Sequence, residues 1–92
     1  MTVRIPDNYV SGGFAMEYEV PWMTPGAVQR LDELVKPTDN VIEVGTGGST
    51  LFFARRAQFV IGIEPNLEWA DSVIQEASGR NINNAPMIAE SD

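Results

Sequence analysis

The run Val41-Ile-Glu-Val-Gly-Thr-Gly-Gly-Ser-Thr50 constrains this chain more than any other stretch. A short apolar segment opens into a glycine-rich turn, and a helix is expected to follow. Glycines there let the backbone turn tightly and come close to a ligand. The first amides of the following helix direct partial positive charge at whatever lies beyond them. A second apolar run, residues 59–63, ends in Glu64, which follows Gly45 by 19 residues. That is the separation expected of a second-strand acid accepting hydrogen bonds from ribose hydroxyls. A tight turn plus a surface glutamate would explain either feature alone. The strand, the turn, the helix and the spaced acid agree instead on a nucleotide or nucleoside cofactor site at the carboxyl edge of a parallel sheet.

The flanking sequence supports that layout. Thr24 can cap a helix whose first position is Pro25, where the missing N–H is harmless. Val28, Leu31, Leu34 and Val35 recur at helical spacing, Lys36 suits the carboxyl end, and Pro37 stops the helix. Residues 41–44 read as a first strand. Ser49 is the expected cap of a helix to about residue 57, with Leu51, Phe52 and Phe53 largely buried. Residues 59–63 have the continuous apolar character of a buried parallel strand. Pro65-Asn66 opens a helix to about residue 77, with Leu67, Ala70, Val73, Ile74 and Ala77 on one face, closed by Ser78-Gly79. Residues 85–89 are a short third strand. Strands alternating with helices predict an α/β fold with a parallel sheet and right-handed crossovers.

Composition narrows the chemistry. Ninety-two residues make one small domain, and the absence of Cys and His removes disulfides, thiolate nucleophiles, histidine bases and the usual zinc ligands. No metal site is expected. A net charge of −7 argues against binding a nucleic-acid backbone. Arg55 and Arg56 are adjacent, which leaves a local basic site open beside the plainer reading of exposed helix charges. The first thirty residues hold only short apolar pieces broken by Pro6, Gly12, Gly13, Pro21 and Pro25. Neither a secretory signal nor a membrane span is expected, and a cytoplasmic location is the default.

The acid two residues before the first glycine, Glu43, decides between cofactors. A pyrophosphate would come near it, which is unfavourable, whereas an ammonium or sulfonium charge would be welcome. Thr50 also stands where a dinucleotide fingerprint wants Gly or Ala. At these residues the chain resembles the Rossmann-like S-adenosylmethionine-dependent methyltransferases. Glu43-Val-Gly-Thr-Gly-Gly48 is similar to their first motif, and Glu64 with Pro65-Asn66 to their second. The run Gly47-Gly-Ser-Thr-Leu-Phe-Phe-Ala54, with Trp69 downstream, is similar to a bacterial and phage subgroup, and the resemblance covers roughly residues 22–92. It implies that S-adenosylmethionine is the cofactor and S-adenosylhomocysteine the product. Glu43 would stand near the methionine amino group. Gly45, Thr46, Gly47, Gly48 and Ser49 would line the methionine portion, and Glu64 would hold the ribose. Asn66 and Leu67 would flank the adenine, and Asp92 would meet the adenine amino group.

The same resemblance implies a truncated sheet of about three strands with flanking helices, a cofactor-binding half-domain over residues 24–92; residues 1–23, with Gly12-Gly13 and two prolines, read as an irregular segment that carries Tyr9, Phe14, Tyr18 and Trp22. No N/D-P-P-Y motif is present, so the methyl acceptor and the catalytic residues stay open. Residues 41–44 would form an exposed apolar edge, which predicts a fragment of a longer product or a homo-oligomer pairing through that edge. Tyr18, Glu19, Trp22 and Met23 fit either a lid over the site or packing against the sheet. Two further classes remain open: a non-catalytic module binding S-adenosylmethionine or S-adenosylhomocysteine, and a dinucleotide-binding oxidoreductase fragment.

Overall fold

A computed structural model describes residues 15–90. Their elements run α1 (Ala15–Tyr18), α2 (Pro25–Leu34), β1 (Asn40–Val44), α3 (Gly48–Arg56), β2 (Phe59–Glu64), α4 (Leu67–Gly79) and β3 (Met87–Ala89). The strands form a parallel sheet in the order β1-β2-β3, with Val41 opposite Val60 and Gly62 opposite Met87. The fold is α/β, with three described strands and flanking helices, as the alternating pattern predicts. Among the described residues no helix is long and apolar enough to cross a membrane.

Local chemistry explains most boundaries. Thr24 caps α2, accepting the Ala27 amide at 3.3 Å, and Asn66 caps α4, accepting the Trp69 amide at 3.0 Å. One turn of helix, α1, lies inside the segment expected to be irregular. Ser49 is not the cap of α3; Gly47 is. The Ser49 hydroxyl is taken by Glu43, while Thr50, three residues past the cap, accepts the Gly47 amide at 3.1 Å. At the far end of α4 the helix runs on through Gly79, and Asn81 takes the left-handed conformation that ends it (φ 60°). β3 starts at Met87 rather than residue 85. Pro86 has no amide to donate, although its carbonyl accepts from Gly62 at 3.0 Å.

Helices α3 and α4 cover one face of the sheet, where Val60, Gly62 and Glu64 are buried. Their inner surfaces contribute Leu51, Phe52, Ala70, Val73 and Ala77, all buried, while Phe53 is half-buried and Leu67 and Ile74 are exposed. A second apolar cluster joins Val20, Val28 and Phe52, with Met23, Leu31 and Phe53 against it, and so fastens the N-terminal segment and α2 to α3. The opposite face of the sheet is bare among the described residues. Side chains alternate along a strand, so Ile42, Val44, Phe59, Ile61, Ile63 and Ile88 share it. Ile42 is 72% and Val44 81% exposed. β1 pairs only with β2 among the described strands.

The adjacent arginines are structural. Arg56 meets Asp32 at 2.6 Å with both side chains 11% exposed, donates to the Phe52 carbonyl at 3.0 Å, and lies 3.8 Å above the Phe52 ring. It joins α2 to α3 in surroundings where a lone charge would be costly. Arg56→Ala leaves the largely covered Asp32 carboxylate without its partner and is expected to lower the unfolding free energy in urea by about 3 kcal/mol. A loss below about 1 kcal/mol would place the pair with ordinary surface bridges.

Candidate functional site

The carboxyl ends of β1 and β2 deliver the glycine turn and two glutamates to one place. Gly45 donates to the Ile63 carbonyl at 2.8 Å, which holds the two strands in register to their ends. It then turns at φ 82°, a conformation that favours glycine. Gly48 has a different reason to lack a side chain. A Cβ there would run into the carbonyls of Ala15 and Val20, so this glycine lets the N-terminal segment sit on the start of α3. For Gly48 the protein itself is the close neighbour.

Each glutamate is engaged by donors of the turn. Glu64 is 6% exposed. Its Oε1 accepts the Thr46 amide and the Thr46 hydroxyl, both at 2.8 Å, and its Oε2 accepts the Asn66 amide at 3.1 Å. Burial acts to raise its pKa, but the bonds from Thr46 and Asn66 outweigh it and hold the carboxyl below the ordinary range. Glu43 accepts the Thr50 hydroxyl at 2.6 Å and the Ser49 hydroxyl. Here burial prevails: its pKa is raised, the two hydroxyls offset this only in part, and the negative Glu64 nearby adds to it.

A cavity of about 580 Å³ opens beside the turn. Thr46, Gly47, Gly48 and Ser49 form one side, and Met16, Glu17, Trp22 and Trp69 face them. Trp69 is pinned there by its indole N–H, which donates to the Thr46 carbonyl at 2.6 Å. Of the expected site residues, these four turn residues reach the cavity. Glu43, Gly45, Glu64, Asn66 and Leu67 are not part of its described wall: the two carboxylates are held by turn residues, Asn66 caps α4, and Leu67 is exposed on the first turn of that helix. Asp92 lies outside the described residues.

The wall contributed by residues 15–22 is clamped from below. Glu19 takes a left-handed backbone conformation (φ 55°), meets Arg55 through two bonds of 2.8 and 3.0 Å, and meets Arg80 at 2.9 Å. The Arg55 bond leads in holding its carboxyl below the usual range, against the opposing effect of burial. Trp22 faces the cavity, whereas Met23 packs into the core cluster, so the aromatic segment both lines the cavity and anchors the chain. Trp69, Met16 and Glu17 were not among the expected site residues. Only the aromatic character of the tryptophans signalled a role, and where they point depends on tertiary packing.

No family model matches this sequence, and no curated protein does. Solved structures match the fold. A dimethyladenosine transferase from Plasmodium falciparum superposes with a TM-score of 0.61 at 22% identity, over 74% of this chain and 26% of that one. The 23S rRNA methyltransferase ErmE gives 0.57 at 25% identity, over 75% and 29%. YcgJ of Bacillus subtilis gives 0.57 at 15% identity, over 67% and 28%. The fold is the Rossmann-like one of the methyltransferases. The chain spans between 26% and 29% of the length of these structures, so its sheet corresponds to part of theirs.

The raised pKa of Glu43 has a definite sign for stability. An acid whose folded pKa lies above its unfolded value favours folding at low pH, and that contribution is lost as pH rises through the folded value. Glu43→Gln keeps acceptor and donor groups for the two hydroxyls without the buried charge. At pH 7 the variant is expected to melt at a higher temperature than the parent. The difference should vanish in acid, where Glu43 is protonated; an advantage that persisted or grew there would contradict the assignment.

Proposed function

We propose that this chain binds S-adenosylmethionine and serves methyl transfer to an acceptor that its motifs leave open. The observation that carries this reading is the charge of the cavity wall. Among the described residues the wall contains Glu17 and no Lys or Arg, and Glu43 lies one hydrogen bond behind Ser49. Such surroundings disfavour a dinucleotide pyrophosphate and favour a ligand carrying a sulfonium and an ammonium.

In this reading Ser49 relays Glu43 toward the methionine amino group, and Gly45 to Gly48 accommodate the methionine chain. Glu64, kept ionised by its three donors, is the ribose acceptor. Asn66 and Leu67 border the adenine, with Asp92 assigned to its amino group. When bound, the cofactor would supply an electrophilic methyl group. The protein's part is to hold ligands in line, which requires neither His nor Cys. The bare sheet face and open β1 edge support work against a further polypeptide surface, a second copy included, and a cytoplasmic location belongs to the same reading. The methyltransferase likeness of the fold favours an enzyme over a non-catalytic binding module.

Calorimetric titration with S-adenosylhomocysteine and NAD tests the cofactor. The parent chain is expected to bind S-adenosylhomocysteine, and a folded Glu64→Ala variant to bind it at least tenfold more weakly, roughly the effect of losing a hydrogen bond to a charged group. Tighter binding of NAD would overturn the reading in favour of a dinucleotide site.

A further inference from the structure

Glu64 is already nearly full. An ionised carboxylate offers about four lone-pair positions, and three are taken: two at Oε1 by the Thr46 amide and hydroxyl, one at Oε2 by the Asn66 amide. A ribose that presents two vicinal hydroxyls to one carboxylate needs two acceptor positions. One donor must therefore leave.

The three donors are not equally free to go. The Thr46 amide belongs to the turn, whose carbonyl is held by the Trp69 indole at 2.6 Å. The Asn66 amide belongs to the cap of α4, where the Asn66 side chain also accepts the Trp69 amide. Releasing either means moving backbone. The Thr46 hydroxyl leaves by a rotation about χ1 that carries its methyl from its seat over Gly62 but moves no backbone, and Thr46 is half-buried at the cavity wall.

We propose that the Thr46 hydroxyl is a built-in competitor for the ribose: it occupies Glu64 Oε1 in the free protein and must rotate away when a nucleoside binds. This rests on the assignment of Glu64 as the ribose acceptor. Thr46 is then a positioning and affinity-setting residue. Its hydroxyl keeps the buried carboxylate satisfied while the site is empty, at the expense of ligand affinity.

Thr46→Val preserves the branched shape and removes the competing donor, whereas Thr46→Ser keeps it. Binding of S-adenosylhomocysteine, adenosine and 2′,3′-dideoxyadenosine to the parent and both variants provides the test. The valine variant is expected to bind the two ribosides about tenfold more tightly than the parent, the effect of removing one competing hydrogen bond to a charged group. It should gain nothing for the dideoxy analogue, and the serine variant should resemble the parent. Unchanged or weaker riboside binding by the folded valine variant would overturn the competition while leaving the cofactor reading intact. So would an equal gain for the dideoxy analogue, which would indicate a loosened turn. Should the valine variant not fold, the parent decides: competition predicts that it prefers adenosine over the dideoxy analogue by less than about a hundredfold, two uncontested bonds' worth, and a larger preference overturns it. Binding of no nucleoside by any of the proteins would overturn the cofactor reading and this inference with it.

Discussion

The hydrogen bonds from Thr46 to Glu64 tie the end of β2 to the turn that leaves β1, and the rest of the site takes its position from them. A buried carboxylate is tolerable only with donors close by. The turn supplies two of them and the start of α4 the third. With Thr46 held from below by Glu64 and from above by the Trp69 indole, the next residues enter α3 in a fixed direction. Glu43 repeats the principle at β1, accepting hydroxyls from Ser49 and Thr50. The two carboxylates thus brace the turn from adjacent strands, and their environments move their pKa values in opposite directions.

The N-terminal segment is built onto this frame. Val20 is buried with Val28 and Phe52, while Glu19 reaches Arg55 on α3 and Arg80 beyond α4. A few residues bridging three elements become a wall of the cavity, and Trp22 stands at that wall. The cost of the left-handed Glu19 backbone is set against two arginine contacts and a buried valine.

Features fixed by local chemistry were legible in the sequence. The cap at Thr24, the helix opening at Pro65-Asn66, the strand runs ending at Val44 and Glu64, and the glycine turn all depend on residues within a few positions of one another. Ser49 looks like a cap in sequence because its competing partner, Glu43, lies on the preceding strand, and only the folded turn brings the two together. Nothing local announces that the carbonyls of Ala15 and Val20 also approach Gly48. The cavity-facing positions of Trp22 and Trp69 likewise follow from tertiary packing. The apolar edge expected for residues 41–44 is present among the described strands, and alternation extends it into a bare face running from Ile42 to Ile88. The N-terminal aromatics before Ala15, such as Tyr9, and the adenine contact assigned to Asp92 lie outside the described residues.

If the glycine turn is where the cofactor binds, amide chemical-shift mapping of the isotopically labelled chain during titration with S-adenosylhomocysteine will show it. Saturable shifts are expected at Gly45 to Ser49 and at Asn66 and Leu67, with the Trp69 indole N–H moving with them. Saturable shifts confined to the bare sheet face or the α4–β3 loop, with the turn silent, would contradict binding at the turn.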